Sequence, residues 1–156
     1  MYENIKSINL RECEFIRKLP GFRAPNLETL NLGDCVNLTE VHDNIGLLDK
    51  LKDLELSGCK KLEILPSKLN LKSLEHLDLH GCKRLKKFPQ IHPEMKCLKN
   101  LELYLSDTSI SKLPSSLKYL TSGLTDLYLG EVQNLDLSFA QYGFKKIGRA
   151  SCRERV

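Results

Sequence analysis

The chain has 156 residues and a formal net charge of +4, and 41% of its residues are hydrophobic. This length fits one domain, and no run of about 18 apolar residues occurs, so we expect neither a transmembrane span nor a signal peptide. Aromatic residues are few and tryptophan is absent, so the hydrophobic core is predicted to be aliphatic.

The first half of the chain repeats one phrase four times. In each copy, apolar residues stand at the first, fourth and sixth positions, and a cysteine stands at the ninth. Successive cysteines are 22, 24 and 23 residues apart, which lies within the range of leucine-rich repeats. The four copies, repeats one to four, are Ile5–Cys13, Leu27–Cys35, Leu51–Cys59 and Leu74–Cys82.

The spacing within each phrase predicts a short strand followed by a turn. Alternate residues of a strand face opposite sides, so the two leucines of Leu-x-Leu point inward and their neighbours point outward. One such coil cannot bury its own leucines, whereas stacked coils form a continuous core and one parallel sheet. We therefore predict an α/β leucine-rich repeat solenoid, with about six short parallel strands on its concave face and an irregular or short helical convex side.

The fifth repeat is degenerate. It spans Leu103–Pro114 and has Thr108 in the cysteine position, followed by a shortened return. Leu98 and Leu101 precede it one residue out of phase with the earlier repeats. This shift predicts a bulge or an inserted residue ahead of the fifth strand.

The sixth repeat, Leu124–Leu129, has Val132 in the cysteine position, and the pattern ends after Leu137. The last ten residues have no apolar periodicity and resemble the translation of a sequencing-library adapter, so we expect them to be a non-native tail. The predicted divisions are a repeat domain cut from a longer array, a poorly defined segment and this tail: residues 1–137, 138–146 and 147–156.

The cysteines have a structural rather than a catalytic spacing. They stand one repeat apart without a Cys-x-x-Cys pair, so we expect a column of reduced thiols and a reducing compartment. The densest polar cluster is His76, Asp78, His80 and Cys82. Its first three members alternate along one exposed face while the cysteine points inward, so they do not converge on a metal ion. Phosphate-loop, dinucleotide-binding and serine-hydrolase motifs are also absent, and we predict no enzyme, no metal site and no cofactor site.

Several longer phrases carry a more specific signal, namely Pro25–Cys35, Glu40–Gly46, Leu54–Leu62, Leu77–Cys82 and Lys87–Ile91. These cysteine-type repeats are combined with a different repeat, Thr108–Ser116. The combination resembles the leucine-rich repeat region of plant TIR-NBS-LRR disease resistance proteins, which are intracellular immune receptors with a Toll/interleukin-1-receptor-like domain and a nucleotide-binding domain. The resemblance weakens at Leu98–Leu103 and after Leu129.

This resemblance implies a protein-recognition and autoinhibitory module that senses pathogen effectors in the cytoplasm or nucleus. Its implied partners are the receptor's own nucleotide-binding domain and a pathogen effector or a guarded host protein. ADP or ATP would bind in a domain outside this chain. The repeat pattern alone is also typical of a generic intracellular scaffold or adaptor. A transcript that extends upstream into a nucleotide-binding domain would favour the receptor over the scaffold.

Charge is segregated between the predicted strand face and its flank. From the third repeat onward, the outward strand positions hold five acids and no lysine or arginine, whereas basic pairs follow the cysteines at 60–61, 83–84 and 86–87. Ordinary solvated faces would show the same segregation, and a protein-docking surface is the functional alternative. Nucleic acid is the weaker interpretation of the basic pairs because no aromatic residues interleave them, and no membrane partner is predicted. The predicted partner-binding residues are Asp53, Glu55, His76, Asp78, His80, Glu102, Tyr104, Asp126 and Tyr128.

Overall fold

The computed structural model describes residues 2–148, and most of its regular structure is short β-strands. Each repeat contributes a strand of three to five residues, because the Leu-x-Leu phrase is interrupted at once by its turn. The strands are β1 Ser7–Asn9, β2 Lys18–Leu19, β3 Thr29–Asn31, β4 Glu40–Val41, β5 Asp53–Glu55, β6 Lys68–Leu69, β7 His76–Asp78, β8 Gln90–Ile91, β9 Leu101–Tyr104, β10 Leu124–Tyr128 and β11 Ile147–Gly148.

Seven of these strands form one parallel sheet, in the order β1-β3-β5-β7-β9-β10-β11. Their spatial order is their order along the chain, so each repeat lies beside the next one. One apolar residue from each of the first six strands of this sheet pairs in a single row that points into the core, where all but the first are buried. This confirms the predicted inward direction of the repeat leucines. The row consists of Ile8, Leu30, Leu54, Leu77, Leu103 and Leu127.

The return paths between these strands hold two small sheets and short 3-10 helices. β2 pairs with β4, and β6 pairs with β8. The helices of the described residues are all of the 3-10 type, since five or six residues are too few to stabilise an α-helix. They are η1 Asp43–Leu47, η2 Pro93–Cys97, η3 Ser115–Leu120 and η4 Leu137–Tyr142.

An irregularity lies between the fifth and sixth strands. Leu101 pairs with Leu124, but Glu102 pairs with Asp126, so Thr125 has no opposite residue. The fifth repeat is therefore one residue shorter here than the sixth, which carries the extra residue as a bulge. A register irregularity is therefore present, but it is a bulge in the sixth strand, and the predicted bulge or insertion ahead of the fifth strand is wrong because β9 pairs with β7 without a shift.

The end of the described chain adds a strand that the repeat pattern does not predict. β11 consists of the first two residues of the predicted tail, and Ile147 and Gly148 pair with Leu127 and Tyr128. The main sheet therefore has seven strands rather than about six. Residues 149–156 of the tail lie outside the described residues, and its non-native origin stays a prediction.

The repeat cysteines link consecutive repeats. Cys35, Cys59 and Cys82 are fully buried, as predicted, and each Sγ donates a hydrogen bond to a leucine carbonyl of the preceding repeat. Burial raises the pKa of Cys59 to about 12, so its thiol stays protonated at neutral pH and can donate. Thr108 instead donates to Leu105 of its own repeat, at 2.9 Å. The cysteine bonds, of 3.0–3.1 Å, run from Cys35 to Leu10, from Cys59 to Leu32 and from Cys82 to Leu56.

Cys59→Ser should lower the free energy of unfolding by about 1–2 kcal/mol. The C–O bond of serine is shorter than the C–S bond of cysteine, so the new hydroxyl lies farther from the Leu32 carbonyl and leaves space around it. Urea denaturation measures the change, and Cys97→Ser is the matched control because Cys97 is exposed. Equal stability of the two variants would show that the buried thiol contributes nothing specific.

Candidate protein-binding surface

The nine predicted site residues lie together on the outward side of strands β5, β7, β9 and β10 and just beyond β7. Parallel pairing in register places equivalent residues of neighbouring repeats side by side. Two rows result, one running from Asp53 to Asp126 and the other from Glu55 to Tyr128. We call these residues the strand face, and all are partly or fully exposed: Asp53, Glu55, His76, Asp78, His80, Glu102, Tyr104, Asp126 and Tyr128.

The first row contains a histidine between two carboxylates. Nδ1 of His76 lies 2.9 Å from Oδ1 of Asp53, and its Nε2 lies 3.5 Å from Oε2 of Glu102. A neutral imidazole carries only one N–H group, so both contacts are hydrogen bonds only when the ring is protonated. The imidazole of this residue therefore lies between carboxylates of the two neighbouring repeats and contacts both of them.

The second row ends in two stacked tyrosines. The rings of Tyr104 and Tyr128 are nearly parallel, at 7°, with centroids 4.4 Å apart. The hydroxyl of Tyr104 donates to Oε2 of Glu102 at 2.6 Å. Burial of this phenol, and then its hydrogen bond to Glu102, raise the pKa of Tyr104 well above its ordinary value. The hydroxyl is thus a fixed, protonated donor at physiological pH.

Two acids of the strand face also hold the turns that follow their strands. Oε1 of Glu55 accepts a hydrogen bond from the Ser57 amide at 2.9 Å, and Oδ1 of Asp78 accepts one from the His80 amide at 2.8 Å. A carboxylate has about four lone-pair sites, so Glu55 can still accept from a partner. Sequence reasoning missed this structural role. Asn31, which holds the same position in the second repeat, was the available signal.

The rows border an open depression of about 360 Å³. Its rim carries carboxylates and an imidazole, and an aromatic ring stands at one side. Such a site suits a cationic side chain, which can form ion pairs with the acids and contact the ring. The lining residues are Asp53, Leu54, Glu55, His76, Asp78 and Tyr104.

A lysine from outside the repeats reaches the far end of the strand face. Nζ of Lys146 lies 2.7 Å from Oδ1 of Asp126. The repeat pattern predicts no lysine on this face, because Lys146 is brought there only by the pairing of β11. The fifth repeat's last outward position also differs from expectation, since Ser106 is 5% exposed. The accessible acidic surface is consequently centred on β5 and β7.

Within residues 2–148, no group of three or more histidine, cysteine, aspartate or glutamate residues is placed to hold a metal ion. The same residues include no helix with the length and apolar character needed to cross a membrane.

Known plant proteins are similar to most of this chain. It is 35% identical to TMV resistance protein N of Nicotiana glutinosa over 133 residues, which are 85% of the chain and 11% of that protein. It is 33% identical to disease resistance protein RML1A of Arabidopsis thaliana, over 84% of the chain and 13% of the relative. Disease resistance protein RPP5 of Arabidopsis thaliana is 39% identical over 76% of the chain and 8% of the relative. The chain thus spans about a tenth of the length of these relatives. No protein-family model matches it.

Proposed function

We propose that this chain is part of the protein-recognition surface of an intracellular plant immune receptor. Its similarity to plant disease resistance proteins supports the proposal, in which the chain is the leucine-rich repeat region of a TIR-NBS-LRR protein. In this proposal the repeats form a solenoid. The sequential parallel order of the main-sheet strands and the row of buried leucines support that architecture. The strand face lies on the concave side, where solenoids typically bind partners.

The observation that carries the proposal is the connected polar and aromatic network of the strand face. Asp53, His76, Glu102 and Tyr104 are joined in series across three repeats, and Tyr128 stacks on the last of them. These contacts hold the side chains in one geometry before binding, which lowers the entropy lost on association. Tyrosine is enriched in binding hot spots, and complementary charge adds specificity.

The proposed partner carries a basic patch, because the accessible surface around β5 and β7 is acidic. In the resting receptor the partner would be the nucleotide-binding domain, and the strand face would contribute to autoinhibition. During infection it would be a pathogen effector or a guarded host protein. This activity takes place in the cytoplasm or nucleus and requires no catalytic residue in the repeats.

Neutralising three acids of the strand face should alter either autoactivity or recognition in a full-length receptor that carries this segment. The variant is Asp53→Asn, Glu55→Gln and Asp78→Asn. It keeps amide oxygens for the Ser57 and His80 turns, so the fold should survive while three partner-binding charges are lost. Cell death after transient expression in leaves, with and without the effector, measures the effect.

A matched control neutralises three exposed acids away from the strand face, namely Glu3, Glu14 and Glu131. It should behave as the unmodified receptor does. The proposal is wrong if the strand-face variant accumulates normally and signals normally in both conditions. Equal effects of the two variants would instead indicate a response to overall charge.

A further inference from the structure

The third and fourth repeats separate from each other on one flank. They are paired through β5 and β7 and again through β6 and β8. Between these points, no backbone hydrogen bond of the described chain connects residues 63–66 with residues 86–89. Pro66 and Pro89 lie in this stretch and have no N–H to donate. An open cleft therefore lies between the two repeats, and we call it the flank cleft.

A backbone ladder ends at the flank cleft. Ile64 donates to the carbonyl of Thr39 at 3.1 Å and accepts from the amide of Val41 at 2.9 Å, so both of its bonds go to the second repeat. In a parallel ladder, the next residue directs its polar groups to the opposite side. Leu65 is that next residue, and its amide has no hydrogen-bond partner among the described residues. An extended chain in the cleft could accept this bond.

An exposed apolar side chain stands at the cleft. Ile64 is 54% exposed and lines two adjoining depressions on this flank. Leu65 and Phe88 also line one of them. An occupant with an apolar side chain would remove the isoleucine from water, which favours binding.

The rim of the flank cleft is strongly basic. Lys83 and Arg84 have only long ion pairs, at 3.6 Å to Asp107 and 3.5 Å to Glu63. Lys86 and Lys87 are exposed, and within residues 2–148 neither has an ion-pair partner. Glu63 is the only acid among the residues that line the two depressions. The more basic of the two depressions is lined by Glu63, Ile64, Lys83, Arg84, Lys86 and Lys87.

We propose that the flank cleft binds an extended acidic segment of a partner protein. Acidic side chains of the segment pair with Lys86 and Lys87, and an apolar side chain covers Ile64. A backbone carbonyl of the segment accepts a hydrogen bond from the amide of Leu65, as in recognition by strand addition. This site is separate from the strand face, and it does not depend on the function proposed for that face.

The same charges would attract nucleic acid, but the other groups of the cleft favour protein. Single-stranded nucleic acid is bound through exposed aromatic platforms on which bases stack. Phe88, the aromatic residue of the cleft, is 7% exposed and belongs to the core. The apolar group that is available, Ile64, suits an aliphatic side chain.

The test measures fluorescence anisotropy of a labelled peptide of about 12 alternating glutamate and valine residues added to the full 156-residue chain. We expect saturable binding in about 100 mM salt. Lys86→Glu with Lys87→Glu should weaken it at least roughly tenfold, and Ile64→Ser should weaken it roughly fivefold. All three positions are exposed, so thermal melts of the variants should match that of the parent.

The control variant, Lys96→Glu with Lys99→Glu, makes the same change in net charge at exposed positions away from the flank cleft. It should alter peptide affinity less than twofold. Three results would overturn the proposal: no saturable binding of the peptide, equal weakening by the control variant, or an oligothymidylate of similar length that binds as tightly as the peptide. The last result would identify the cleft as a general polyanion site.

Discussion

Leu56→Ala should lower the free energy of unfolding by about 3–4 kcal/mol, the largest effect that we expect from a single side-chain truncation. Leu56 is fully buried in a central repeat, with repeats on both sides, so its surroundings have little freedom to collapse into the space that is left. For a chain of this size, the melting temperature should fall by about 10 °C. Urea denaturation and thermal melting measure the two quantities.

The matched control is Leu47→Ala, which removes the same atoms from a side chain that is 57% exposed. Its effect should stay within about 0.5 kcal/mol. A loss below about 1 kcal/mol for Leu56→Ala, with an unchanged denaturant slope, would show that the repeats are packed loosely. In that case the continuous leucine core would be the wrong explanation of the fold.

Gly123→Ala should cost about 2–3 kcal/mol because two backbone segments meet at this residue. A Cβ atom here would lie 2.6 Å from the carbonyl carbon of Leu98 and closer still to its oxygen. Gly123 cannot move away from Leu98 freely, since the carbonyl of Gly123 accepts a hydrogen bond from the Leu101 amide at 2.8 Å. Relieving the clash therefore separates the fifth repeat from the sixth.

Gly148→Ala is the control for this substitution, because the nearest atom to its added Cβ lies 3.9 Å away on the Tyr128 ring. We expect a change within about 0.5 kcal/mol there. Chemical denaturation of both variants gives the comparison. If Gly123→Ala is as stable as the control, the explanation that the Gly123 and Leu98 backbones lie too close for a side chain is wrong.

The predicted phase of the repeats depends only on local spacing, and it could therefore be obtained from the sequence. A period of two within each phrase distinguishes inward from outward residues, whatever surrounds the strand. The outward assignments of Asp53, Glu55 and Asp78 hold for this reason. Ser106 departs from the pattern because burial also depends on neighbouring repeats.

Contacts between repeats could not be predicted in the same way, because their partners are more than 20 residues apart along the chain. The pairing of His76 with Asp53 and Glu102 requires the register of three strands. The stacked tyrosines require the bulge at Thr125, which restores the register after the shortened fifth repeat.

The amino-acid sequence by itself determined the repeat length, the inward leucines, the buried cysteines and the set of outward side chains. It could do so because each depends on the alternation of a few consecutive residues. The tertiary structure alone decided which outward groups touch, how Lys146 reaches Asp126, and where the third and fourth repeats separate. These features depend on how one repeat stacks on the next, since distances between neighbouring repeats are set by backbone pairing and not by the pattern within either repeat.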